Sequence, residues 1–189
     1  MRKIVTKGEL DKKRKRNQLI IGLILVGVMF FSVVGYSFSG KEAEEEKKVI
    51  YNGFEFKNSQ GFWIVEVEGR QFAFMYNPNK VEKINSELNH IEGYYGKPLY
   101  IYSEDQEAEF EIYRNLDRLV LRRQYACLEN QNCSNNEWPI KNCTDNFIII
   151  KEAPISNLVQ EENCVFISGP RENLSMVTDE FLLRITGIN

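Results

Sequence analysis

Histidine is nearly absent from this chain: His90 is the only one in 189 residues. It lies in a polar stretch, residues 86–95, beside Glu87 and Glu92 but with no nucleophile at a recognisable spacing, so it reads as a solvated loop histidine. The four cysteines contain no Cys-x-x-Cys pair. A thiol-redox site needs that pair, and a structural zinc site needs close cysteine pairs or histidines, so neither a metal nor a cofactor is expected. Gly-x-Ser-x-Gly, His-Glu-x-x-His and a glycine-rich phosphate loop are missing as well, which removes the commonest hydrolase and nucleotide-binding classes. The last absence is the most informative. Between Arg16 and Lys41 the chain carries no charged residue.

That uncharged stretch is densely apolar. From Leu19 to Val34 there are twelve Leu, Ile, Val or Phe side chains, each favouring insertion into a bilayer by a few tenths of a kcal/mol. About 20 apolar residues at 1.5 Å per residue cross the hydrocarbon core, and a helix of a soluble domain would show the polar face that this one lacks. The flanks set a direction. Residues 1–17 hold eight Lys or Arg against two acids, whereas residues 41–48 hold three Lys against four Glu. Positive flanks stay in the cytoplasm, so residues 1–17 read as a cytoplasmic tail and residues 18–39 as a transmembrane signal-anchor helix. Residues 40–48 then form a charged juxtamembrane linker, and residues 49–189 form an extracytoplasmic domain. A cleavable signal is the rival reading, since Ser37 and Ser39 are small residues placed before Gly40. The apolar region exceeds the ~7–15 residues usual for such a signal, and in both readings the body is exported. The partners implied are the bilayer, through residues 18–39, and a protein close to the membrane, because the linker is short.

From residue 41 onward, 25 Asp or Glu outnumber 16 Lys or Arg. This acidic balance argues against nucleic acid as a partner, the only basic cluster being Arg114, Arg118, Arg122 and Arg123. All four cysteines, Cys127, Cys133, Cys143 and Cys164, lie in the exported part, where disulfides persist. Four cysteines allow three pairings. A strand at residues 147–150 parallel to one at 164–168 would place Cys143 and Cys164 at the same end of neighbouring strands, favouring Cys143–Cys164 with Cys127–Cys133 as a local staple.

The fold class expected for residues 49–189 is α/β in the α+β sense, a mixed sheet of five to seven strands packed with two long amphipathic helices. Strand patterns occupy residues 49–56, 62–67 and 71–76, the last two joined at hairpin spacing through Glu68-Gly69-Arg70. A short helix is expected over residues 80–88, with Val81, Ile84 and Leu88 on one stripe, and a strand over 99–102. Ser103-Glu104-Asp105-Gln106 has the form of a capping box, and apolar periodicity from Ala108 to Leu119 predicts a helix over residues 104–125. That helix would carry Arg114, Arg118 and Arg122 along one face. The apolar run 147–150 reads as a strand buried on both faces, residues 158–168 as a hairpin, and Leu174, Val177, Phe181 and Ile185 as the stripe of a final helix stopped by Gly187.

No catalytic residues emerge. Tyr94, Tyr95, Tyr100 and Tyr102, near Trp63 and the Phe-rich hairpin, are the candidate binding surface, because exposed aromatics bury much area at little entropic cost. The bland alternative is that alternate tyrosines of a strand point into the core. Asn173, in Asn173-Leu174-Ser175, is the more accessible of three N-glycosylation patterns, the others surrounding Cys133 and Cys143. The expected role is that of a non-enzymatic protein-binding or assembly subunit at the cell envelope. The alternatives are an exported small-ligand or glycan-binding module and, third, a hydrolase using two of the many carboxylates.

Overall fold

In the computed structural model, which describes residues 7–38, 47–129, 135 and 137–188, the uncharged stretch lies within a single helix, α1 (Lys7–Phe38). Its 32 residues give a length of about 48 Å. Leu19, Leu23 and Phe31 are about three-quarters exposed, and among the described residues this is the one helix long and apolar enough to cross a membrane. The helix begins inside the basic tail rather than at residue 18. The chain divides into two units, Met1–Glu45 and Glu46–Asn189, and the second is an α+β domain.

That domain opens with a four-stranded antiparallel meander: β1 (Lys48–Tyr51), β2 (Phe54–Ser59), β3 (Phe62–Val67) and β4 (Arg70–Phe74). Two-residue turns join the strands, and Asn52-Gly53 and Glu68-Gly69 both take positive φ at their two central residues, the geometry that matches strand twist. The single strand expected over 49–56 is therefore two, folded at Asn52-Gly53. Tyr51, Phe56, Val65, Phe72 and Phe74 turn to the core from this sheet.

The second sheet has five strands in the order β10-β11-β9-β5-β6, where β5 is Pro98–Ser103, β6 Arg122–Tyr125, β9 Phe147–Glu152, β10 Asn157–Glu161 and β11 Cys164–Gly169. Its four central and β6-side strands run parallel, and β10 is antiparallel at the far edge. A third, two-stranded ladder pairs β7 (Cys127–Leu128) with β8 (Ile140–Lys141). The eleven strands thus form three sheets among the described residues, where one sheet of five to seven is expected. As the apolar run predicts, β9 is buried on both faces: Ile148 and Ile150 enter the main core, and Phe147 and Ile149 enter a smaller cluster with Tyr100, Ala126 and Cys164. The β9–β11 pairing is parallel, and Cys143 is bonded to Cys164. Cys127 is disulfide-bonded too, while the Cys127–Cys133 assignment falls on a residue outside the described ones.

Two helices cover the main core. In α3 (Leu174–Ile185) the expected stripe is buried, and Gly187 follows with φ of 74°. The other, α2 (Gln106–Leu116), is half the length that its periodicity predicts. Its N-cap is Asp105, whose Oδ1 accepts from the Ala108 N–H, not Ser103. The helix stops because tertiary pairing claims the residues beyond it: Gly96 donates to the Leu119 carbonyl, Leu121 donates to that of Lys97, and 122–125 become the strand beside β5. Residues 80–88 likewise form no helix beyond a 3-10 turn at Pro78–Lys80. Val81 is buried and Ile84 and Leu88 half-buried, as a helical stripe would be. Their backbone is held instead by α3: Ile84 N–H donates to Glu180 and Arg184 donates to the Ser86 carbonyl, while just before them the Tyr76 N–H donates to Asp179.

Candidate functional site

The sequence-predicted tyrosines do not gather on one surface. Tyr94 is buried against Phe181, and burial pushes its hydroxyl pKa well up. Tyr100 is buried against Phe147 in the smaller cluster. The next residue but one on β5, Tyr102, points the same way yet stays half-buried at the strand's end. Tyr95 lies elsewhere, half-buried, with Arg70 over its ring and an Arg70 Nη1 donor 2.6 Å from its hydroxyl. Of the four, Tyr102 is the one that joins further exposed aromatic surface.

That surface is built on the open edge of the five-stranded sheet. All four residues of β6 are exposed, and among the described residues β6 pairs only with β5. At its end the Tyr125 ring stacks on Trp138, with centroids 5.0 Å apart and planes within 13°, and Tyr102 meets the same indole edge-on at 6.4 Å. Trp138 lies in the largely polar stretch between Cys127 and Cys143, whose two ends pair as the parallel β7–β8 ladder. Leu121, Phe110 and Ile140 are large apolar side chains more than half exposed on the elements that flank this edge.

Hydrogen bonds fix the platform. Tyr125 donates to Glu109 Oε1, and Tyr113 joins the same carboxylate. Burial and the Glu109 contact raise the Tyr113 hydroxyl far above its ordinary value, and the Glu109 bond raises that of Tyr125, so both remain protonated donors. The Arg123 guanidinium covers the Tyr113 ring at 3.8 Å and pairs with Asp117. Beneath the strand, Arg122 donates to the Tyr100 hydroxyl at 3.3 Å. The arrangement offers stacking area and cationic rims. It presents no activated nucleophile.

The acids that do meet are internal. Glu111 on α2 and Asp179 on α3 are neighbouring carboxyl side chains, both essentially buried. Burial is the main cause of the raised pKa of each, and the second carboxyl adds to it at Asp179. Two carboxylates in contact away from water do not both ionise, so the pair shares a proton. Arg114 pairs with Glu111 at 2.9 Å, and the Tyr76 N–H donates to Asp179 at 2.8 Å. These acids therefore hold chain segments together. No signal in the sequence marks them, because their spacing of 68 residues closes only when α2 packs on α3.

Asn173 is half-buried, at the turn leading into α3, and His90 is exposed, its Nε2 beside Gly187 at the end of α3. Among the described residues no three His, Cys, Asp or Glu side chains group as metal ligands. Comparison with protein-family models, with curated proteins and with solved structures finds no match to this chain.

Proposed function

We propose that this is a single-pass membrane protein whose disulfide-braced extracytoplasmic domain, residues 49–189, binds a membrane-proximal protein as an accessory or assembly subunit. Support for the anchor comes from the length and exposed apolar surface of α1 and from the basic excess on its N-terminal side. The Cys143–Cys164 bond fits an oxidising compartment.

The single observation that carries the binding role is the β6 edge. A strand exposed at every position leaves outward N–H and C=O groups ready to pair with another chain, and natural proteins usually cover or blunt such an edge. Here it is flanked by an aromatic stack that adds anchoring area, so a partner segment added as a strand would find both backbone and side-chain contacts. The arginines at its start favour a segment of acidic character.

Copurification in mild detergent, with mass spectrometry, tests the reading. A stoichiometric partner is expected with the wild-type chain, and a Tyr125→Ser, Ile140→Asp double variant should recover at least about tenfold less of it. Recovery of the chain alone, or of the same partner by the variant, counts against the role.

A further inference from the structure

Where the β3–β4 hairpin meets the end of α2, a cavity of about 490 Å³ is lined by Arg70, Gln71, Arg114, Arg118, Glu66 and neighbouring residues. Its size falls within the range of small-molecule sites. Three guanidiniums and one carboxylate line it, an unusual excess in a domain whose overall balance is acidic.

The cations are organised to different degrees. Arg114 is fixed: its side chain is 18% exposed, it sits between the rings of Phe62 (3.8 Å) and Phe110 (4.8 Å), and it spends Nη1 on Glu111, leaving its other N–H donors over. Arg70 is steered by Tyr95, to which it gives one Nη1 bond. Arg118 is exposed and has no ion pair or hydrogen bond among the described residues. The helix ends at Leu116, so of the arginine row predicted for one long helix only Arg114 lies on it; Arg118 follows in the turn beyond, and Arg122 leaves on β6. What replaces Arg122 is Arg70 from the other sheet.

The strand edge adds a neutral donor. Asn115 bonds both the N–H and the C=O of Ala73, so the backbone of Ala73 faces away from β3. Two residues earlier on the same strand, the Gln71 backbone faces the same way, toward the cavity that Gln71 lines.

We infer that the Arg70–Arg114–Arg118 cavity binds a small ligand through an oxyanion group, a carboxylate or a phosphate. Planar guanidinium forks match both groups, and Arg114 is held in place before any ligand arrives. Glu66 opposes a second negative charge at the rim, so the preferred ligand is anionic at one end and polar or neutral at the other.

Calorimetric titration of the full-length chain in detergent micelles tests this, with sodium phosphate and sodium acetate as separate probes and sodium chloride at matched ionic strength as the reference. Saturable one-to-one binding of at least one probe is expected, and the tighter of the two identifies the oxyanion class. Arg118→Gln and Arg70→Gln should each weaken it about tenfold. Arg171→Gln, which alters an exposed arginine paired with Glu152 on another part of the domain, should bind as the wild type does. Because Arg118 is exposed and unbonded among the described residues, its variant folds as a fair test even if Arg70→Gln does not. No saturable binding of either probe, or binding unchanged in Arg118→Gln, would overturn the inference.

Discussion

Asp179 and Glu111 show how a buried acid can be structural. Each has a raised pKa, burial being the first cause; for Asp179 the Glu111 charge raises it further, while Arg114 and the Tyr76 N–H pull it back. The folded chain therefore holds a proton that the unfolded chain releases from an ordinary value of 3.8 upward. A group with a raised folded pKa stabilises the protein fully below its unfolded value, and that contribution is lost as pH rises through the folded titration. Stability should thus fall as pH is raised above about 4, through the raised titration of the folded pair. In Asp179→Asn the amide oxygen still accepts from Tyr76 and its nitrogen donates to Glu111, with no proton to lose. The variant's urea midpoints should be flatter across that range and should match or exceed the wild type at the alkaline end; parallel pH profiles for the two chains would contradict the shared proton. At this scale the sequence was legible only in part. The reading that strand tyrosines turn into the core holds for Tyr100, but nothing local distinguished Tyr102, on the same face of β5 yet half-buried at its end. Trp138, its partner, lies in a loop with little apolar content.

Elements were read best where their pattern is local. The Glu68-Gly69 hairpin, the 158–168 hairpin, the doubly buried β9 and the stripe of α3 all follow from spacing that neighbouring residues decide. The failures share a cause. Both α2 beyond Leu116 and residues 80–88 have helical periodicity, yet their backbone groups find partners far away in sequence: the β5 edge for the first, and the acids and Arg184 of α3 for the second. Periodicity reports which side chains are buried, and here it did so correctly for Val81, Ile84 and Leu119. It does not report which groups satisfy the backbone. The Cys143–Cys164 bond ties the start of β11 to the chain just before β9 and closes a 21-residue separation. Loop-closure entropy for a ring of that size is about 3 kcal/mol. Replacing both cysteines by serine should lower unfolding stability by roughly that amount, read as a lower denaturation midpoint of the non-reduced protein. A pair of unchanged midpoints would mean that the parallel β9–β11 ladder alone fixes this end of the sheet.

On the scale of the whole molecule, the two units place their apolar side chains differently. In the Glu46–Asn189 unit the apolar side chains are gathered into two clusters, whereas α1 presents Leu, Ile, Val, Met and Phe outward along its span. Those α1 side chains have no protein to cover them within the helix itself, and hydrocarbon is the medium in which their exposure is favourable. The exposed apolar helix α1, unlike the aromatic platform and the arginine cavity, was legible in the sequence, since it follows from a continuous local run rather than from distant contacts. Both candidate surfaces of the domain, by contrast, combine residues from elements that meet only in the fold. The central claim is the placement of that domain outside the membrane with residues 1–17 inside. Its most direct test is labelling of intact cells with a membrane-impermeant maleimide, using Lys57→Cys, on the exposed side of β2, and Lys12→Cys in the tail, with the wild-type chain as the blank. Lys57→Cys should label in intact cells and Lys12→Cys only after permeabilisation; the reverse pattern, or labelling of neither until the cells are opened, would contradict an exported domain.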